Sequence, residues 1–126
     1  MTFHRMIFGL CLALATISNA LNAAPAQDLQ HTLYLDTKDG RITILLRPDL
    51  APKHVAQIEA LTKRGFYDGI VFHRVIDGFM AQTGDPTGTG AGKSDLPDIR
   101  AEFSAEPFVR GTVGMARSQD PDSANS

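Results

Sequence analysis

The clearest early pattern along the chain is alternation. Leu33 and Leu35 are spaced by more polar neighbours, Asp39-Gly40 interrupts, and Ile42, Ile44 and Leu46 resume the same beat. Spacing of two puts every second side chain on one face of a strand, and Asp-Gly between two such runs is a hairpin turn. Two antiparallel strands are therefore predicted. From Arg47 to Gly65 the period lengthens, with Val55, Ile58, Leu61 and Thr62 tracing one face of a helix. Asp49 is placed to cap it, Pro52 is tolerated in its first turn, and Gly65 after Lys63 and Arg64 stops it. The apolar stripe of such a helix must cover a sheet.

Beyond the Tyr67-Asp68-Gly69 turn, "IVFHRVI" (Ile70 to Ile76) is β-branched and aromatic with almost no polar relief. A strand of that composition is expected to be covered, at least partly, on both faces. Asp77-Gly78 turns the chain into "FMAQT", and Asp98 to Phe103 and Thr112 to Met115 offer two further short strands. The polar stretch "SQDPDSANS" reads as a loop. Strands in quick succession around one helix predict a mainly β fold, an antiparallel barrel or sandwich, over a doubly wound α/β sheet.

Composition changes the picture at the N-terminus. The chain has 126 residues, enough for one domain, with 43% hydrophobic and 21% charged residues. His4 and Arg5 precede an uncharged, mostly apolar run from Met6 to Ala15, and small residues suited to signal peptidase follow at Ala24-Pro25-Ala26 and at Ser18-Asn19-Ala20. Residues 1–26 are read as a secretory signal peptide, too short in apolar length to anchor in a bilayer, which takes about 20 residues. Residues 27–126 form the mature domain, and a periplasmic location with no membrane contact after cleavage is expected. Cys11, the only cysteine, falls in the leader, so the mature domain would carry no disulfide. It keeps 11 basic against 14 acidic residues, with no basic run, which argues against nucleic acid as a partner.

"GDPTGTGAGKS" (Gly84 to Ser94) has the look of a phosphate-binding loop. The G-x-x-x-x-G-K-[ST] spacing fails, however, because the position five before Gly92 is Thr87. Pro97 also stands where the required helix would run. The G-x-G-x-x-G pattern fails too, since Gly88 and Gly90 are followed by Lys93. The remaining readings are a turn whose glycines permit positive φ, or a loop whose glycines let a peptide backbone approach.

The run that decides between them precedes the loop. "FHRVIDGFMAQTGDP" (Phe72 to Pro86) closely resembles the signature of the cyclophilins, the peptidyl-prolyl cis-trans isomerases or rotamases, and the match is uninterrupted from Phe66 to Gly90. Weaker similarity extends from the first hairpin through "GTVGMARSQDPDSANS". With the leader, the whole resembles an exported bacterial cyclophilin. The resemblance implies a cyclophilin-like antiparallel β-barrel with a capping helix. It also implies that Arg74, Gln82 and Phe79 carry catalysis, Gln82 holding Arg74 and touching the peptide backbone. Phe79 and Met80 would line the proline pocket, and Gly88 and Gly90 would form a groove facing Ala116 and Arg117. In many relatives an asparagine occupies the Arg117 position, so this chain adds a charge there.

The chemistry of those residues is compatible with that role. An X-Pro bond isomerises over tens to hundreds of seconds unaided, because rotation breaks amide resonance against a barrier of roughly 18–20 kcal/mol. No bond to carbon is made or broken, so no metal, nucleophile or cofactor is called for. A guanidinium is permanently charged and offers fixed donors to the proline nitrogen as it turns basic in the twisted state. His73 sits on the opposite strand face from Arg74 and is expected to be a packed, hydrogen-bonded histidine, since the reaction has no proton to abstract.

The resemblance covers about the N-terminal two thirds of a cyclophilin domain. The family pattern runs on past the equivalent of Ser126 with a Gln-Phe-Phe strand, an aromatic or leucine wall, a histidine and closing elements. The barrel is accordingly expected to be incomplete at the C-terminus, with unpaired edges prone to aggregation. Two functional readings follow: a monomeric isomerase acting on proline-containing peptides and unfolded exported proteins, or an inactive fragment that binds proline peptides weakly. For the 126-residue chain itself, little activity and poor solubility are expected.

Overall fold

The computed structural model describes residues 29–126, and the leader with its cleavage sites and Cys11 lies outside the described residues. A single 3-10 turn, Leu29–His31, leads into the first hairpin, β1 (Thr32–Thr37) and β2 (Gly40–Leu45). The register pairs Leu33 with Ile44 and Leu35 with Ile42, which gathers the alternating apolar residues on one face. On the other face Asp36 lies opposite Arg41, whose Nε and Nη2 donate to its carboxylate at 2.7 and 3.0 Å. The same guanidinium lies over the Tyr34 ring, 4.8 Å from its centre. The turn is Lys38-Asp39, one residue earlier than the Asp-Gly reading, and Gly40 opens β2 at a φ of +133°.

Helix α1 spans Pro52–Lys63 with Pro52 in its first turn, as its sequence predicts. It ends on paired backbone bonds, Phe66 N–H to the Leu61 carbonyl at 3.0 Å and Gly65 N–H to the Thr62 carbonyl at 2.9 Å. Gly65, at a φ of +69°, supplies the left-handed residue this ending needs. Asp49 does not cap the helix. Its carboxylate takes two donors from Arg47 instead, at 2.9 and 2.7 Å, and Ala51 at the N-cap position offers no side-chain acceptor. The cap comes from Glu102, whose carboxylate accepts the N–H of Lys53 at 3.0 Å and of His54 at 3.1 Å, with His54 Nδ1 at 2.7 Å.

Burial is the largest influence on the Glu102 carboxyl and pushes it up. The His54 ring and the N–H groups of His54 and Lys53 outweigh it, leaving the group below its ordinary value of 4.5. A depressed native value means that this contribution to stability is complete above about pH 4.5 and is lost as the pH falls through the lower folded value. Glu102→Ala is expected to cost about 0.5–2 kcal/mol at neutral pH, the range for removing a cap, and to flatten the acid limb of the stability curve. Urea melts from pH 3 to 7 check this. Parallel curves for parent and variant would show that the cap contributes nothing.

The helix buries His54, Val55 and Leu61, while Ile58 is half-buried and Thr62 is exposed. It flanks the first hairpin without sealing it: a cleft of about 120 Å³ separates Leu33 and Leu46 from Glu59 and Thr62. Its polar side faces the stretch after residue 94. Gln57 Nε2 donates to the carbonyls of Pro97 and Asn125. Val55, Leu61, Ile99 and Ala124 are the buried hydrophobic residues among those described.

The second hairpin is β3 (Arg74–Ile76) and β4 (Met80–Gln82). The two sheets do not join, so the expected barrel is present as separate hairpins among the described residues. The long covered strand predicted over Ile70 to Ile76 is three residues long, and Val71, Val75 and Ile76 are 57, 66 and 40% exposed. The predicted strands over Asp98 to Phe103 and Thr112 to Met115 reduce to one bridge, Ile99 to Ala124. The physical reason is common to all three. β-propensity is realised only against a neighbouring strand and a covered face; among the described residues β3 has a partner strand but no covered face, Ile99 is bridged and buried alone, and Thr112 to Met115 pairs with no strand.

Candidate functional site

The β3–β4 hairpin fixes the relation of the predicted catalytic residues. Its register sets Arg74 opposite Gln82 and Ile76 opposite Met80. Residues directly opposite in an antiparallel pair share a face, so Arg74, Met80 and Gln82 stand on one side, with Val75 and Ala81 on the other. The turn between the strands holds Gly78 at a φ of +68° and closes with Phe79 N–H donating to the Ile76 carbonyl at 3.1 Å. Phe79 lies in that turn, 77% exposed. Arg74 is exposed and its side chain makes no hydrogen bond or ion pair among the described residues, while Met80 and Gln82 are half-buried. The described residues thus present the guanidinium on an open face and do not enclose it in an apolar cleft.

The glycine-rich loop does wrap an anion, and that anion is its own Asp85. The Asp85 carboxylate accepts from the N–H of Thr87 at 2.7 Å, of Thr89 at 3.0 Å and of Gly90, and from the Thr87 hydroxyl at 2.8 Å. Burial is the largest single influence on this group and would raise its pKa. The Thr87 hydroxyl and the N–H groups of Thr87, Gly92 and Gly90 together prevail, holding the carboxyl well below the usual range. A Cβ on Gly92 would collide with that carboxylate, and one on Gly84 would lie 2.8 Å from the Ser126 backbone. Lys93, the residue that would reach a phosphate in a P-loop, is held by Asp98, with both oxygens 2.9 Å from Nζ. These contacts explain the glycines without a nucleotide.

Gly88 and Gly90 pack against the segment that leads into β3. A Cβ on Gly88 would lie 3.2 Å from Val71, and one on Gly90 would lie 3.3 Å from the His73 ring. His73 is half-buried and packed, as expected, but its Nδ1 is buried with no hydrogen-bond partner, contrary to expectation. Gln82, Gly90, Ala116 and Arg117 line a common cleft of about 270 Å³, and Arg74, Phe79, Met80 and Gly88 lie outside it. The predicted residues therefore fall into two groups that meet at Gln82. Among the described residues no cluster of three His, Cys, Asp or Glu could hold a metal ion.

The floor of the cleft rests on residues that sequence reasoning passed over. Buried Asn125 accepts the N–H and hydroxyl of Ser94 at 2.8 and 2.6 Å, and its amide donates to the Leu96 carbonyl and to Asp98, both at 2.9 Å. Ser126 Oγ donates to the Gly84 carbonyl at 3.0 Å. The stretch read as a polar loop is a loop, and it also ties the glycine-rich segment to α1. An available signal was the Asp85-Pro86-Thr87 spacing, since an aspartate commonly accepts the N–H two residues on.

Comparison with known proteins identifies the family. The family model for "Cyclophilin type peptidyl-prolyl cis-trans isomerase/CLD" matches residues 32–126. A Brucella suis protein named "Probable peptidyl-prolyl cis-trans isomerase" is 52% identical over 137 aligned residues, covering all of this chain and 70% of the relative. A crystal structure of a Cryptosporidium parvum cyclophilin type peptidyl-prolyl cis-trans isomerase, in the presence of the dipeptide Ala-Pro, superposes with a TM-score of 0.71 at 32% identity, covering 75% of this chain and 63% of that one. A Hirschia baltica cyclophilin gives a TM-score of 0.61 at 27% identity, covering 75% and 55%. With its fold, its Phe72 to Pro86 run and these relatives in agreement, the chain belongs to the cyclophilin-type peptidyl-prolyl cis-trans isomerase family.

Proposed function

We propose that the protein is a peptidyl-prolyl cis-trans isomerase that acts on X-Pro bonds of exported polypeptides, in the periplasm, as a monomer and without a cofactor. The observation that carries this reading is the β3–β4 register, which sets an unpartnered Arg74 directly opposite Gln82 and on the same face as Met80. In this reading the proline ring lies against Met80 and Phe79, Gln82 holds the peptide backbone, and Arg74 donates to the prolyl nitrogen as the amide twists. Because Arg74 is solvent-facing, the peptide must displace the water around it for that bond to strengthen. A family relative crystallised with Ala-Pro supports a proline-peptide ligand, and residues 1–26 support export.

Exchange NMR on a short X-Pro peptide tests the reading. Substoichiometric protein should bring cis-trans exchange from tens of seconds into the range of seconds or faster. An exchange rate unchanged from the free peptide would overturn the isomerase reading. Chemical-shift changes on binding without faster exchange would leave a proline-peptide binder, a reading that the open, 77% exposed Phe79 also favours.

A further inference from the structure

The cleft beyond Gln82 carries an unbalanced charge. Its lining side chains include one carboxylate, Asp85, and two cations, Lys93 and Arg117. The Asp85 oxygens are taken up by the N–H and hydroxyl groups of their own loop. Lys93 is clamped between both oxygens of Asp98. Arg117 has no ion pair among the described residues, and its side-chain hydrogen bonds there run from one nitrogen, Nη1, to the Ser118 carbonyl at 2.8 Å and the Gln119 carbonyl at 3.5 Å. Most of its guanidinium fork is left unused at a cleft whose other two charged side chains, Asp85 and Lys93, have partners.

Position gives that charge a use. Gln82 belongs both to the hairpin face with Arg74 and to the lining of this cleft. A peptide whose proline sits at Arg74 and whose backbone follows Gln82 carries a flanking side chain over the cleft. A planar guanidinium matches a carboxylate there with two parallel hydrogen bonds. We propose that Arg117 is a specificity residue that selects proline peptides bearing Asp or Glu close to the proline and disfavours Lys or Arg there. This rests on the β3–β4 face being the proline site. An exposed pair of this kind contributes modestly, so the selection is roughly two- to fivefold, and salt should weaken it because exposed charges are screened.

The test uses the full chain and peptides identical except for Glu, Gln or Lys placed in turn at each position within three residues of the proline. Affinity is read by NMR titration and turnover by exchange NMR. At one or more positions Glu should exceed Gln and Gln exceed Lys, by about two- to fivefold per step, with the gaps narrowing in 0.5 M NaCl. Arg117→Gln should remove the order, Arg117→Glu should reverse it, and Arg117→Lys should keep a weakened form of it. The salt response of the parent protein supplies the same answer should a variant fail to fold. Equal affinities for the three charges at every position, or a Glu preference that persists in Arg117→Glu, would overturn the proposal. A Glu bias in binding with no acceleration counts against the isomerase reading and leaves Arg117 in place. Acceleration with no charge bias does the reverse.

Discussion

Arg74→Ala is expected to slow catalysed isomerisation of a short X-Pro peptide by roughly ten- to hundredfold. The magnitude follows from one charge-assisted hydrogen bond, about 1.5–3 kcal/mol, converted at about 1.4 kcal/mol per tenfold in rate. The bond must form preferentially in the twisted state to count, because a donor that held the planar amide equally well would change affinity and leave turnover alone. The prolyl nitrogen satisfies this condition. Its lone pair is delocalised in the planar amide and becomes an acceptor only as resonance is lost. The effect should therefore appear in kcat more than in KM. The Arg74 side chain makes no ion pair or hydrogen bond among the described residues and is exposed, so its removal should leave folding within about 0.5 kcal/mol of the parent. Arg74→Lys keeps the charge without the planar fork and should fall between parent and alanine variant. Rates measured by exchange NMR, beside a thermal melt of each protein, separate catalysis from stability. Equal rates for parent and Arg74→Ala would remove this side chain from the mechanism.

What could be read directly in the chain was whatever is encoded locally. The first hairpin follows from period-two spacing because Leu33, Leu35, Ile42 and Ile44 need only one another, and they pair as their alternation requires. The helix and its ending follow from Pro52 and Gly65, residues whose conformational preferences act within a turn. Arg74, Gln82 and Met80 were legible through the resemblance of the Phe72 to Pro86 run, and their common face through the register of a short hairpin. Contacts made across many residues were not legible. Nothing near Asp49 reveals that Glu102 displaces it as the helix cap, because the cap is chosen by tertiary packing between segments 48 residues apart. Asn125 resembles any polar loop residue until Ser94, Leu96 and Asp98 are brought around it. The extended segments around Phe72, Phe103 and Val113 depart from what their sequence predicts for a related reason. Apolar composition states what a strand would bury, and burial also needs a partner; Phe103 is 77% and Val113 67% exposed.

That distribution of burial makes Leu61→Ala the most damaging substitution expected for folding. Leu61 is fully buried, at 0% exposure, in a set of buried apolar residues otherwise limited to Val55, Ile99 and Ala124 among those described. Its carbonyl also accepts the N–H of Arg64 and Phe66 at the helix end, at 3.1 and 3.0 Å, so collapse around a missing side chain is opposed by the backbone it anchors. Truncating a buried leucine costs about 2–5 kcal/mol. Small domains hold only about 5–15 kcal/mol in total, and one with so few buried apolar side chains lies toward the lower end. The melting temperature should accordingly fall by upwards of about 10 °C, and at the upper end of the cost the chain should be largely unfolded at room temperature. Phe79→Ala removes a larger apolar side chain from an exposed turn and should move the melt by no more than a few degrees while weakening binding of a proline peptide. Calorimetric melts of the two variants, with an NMR titration of the second, distinguish a residue that holds the fold from one that faces a ligand. A Leu61→Ala melt within a few degrees of the parent would show that this helix face is not where the fold draws its stability.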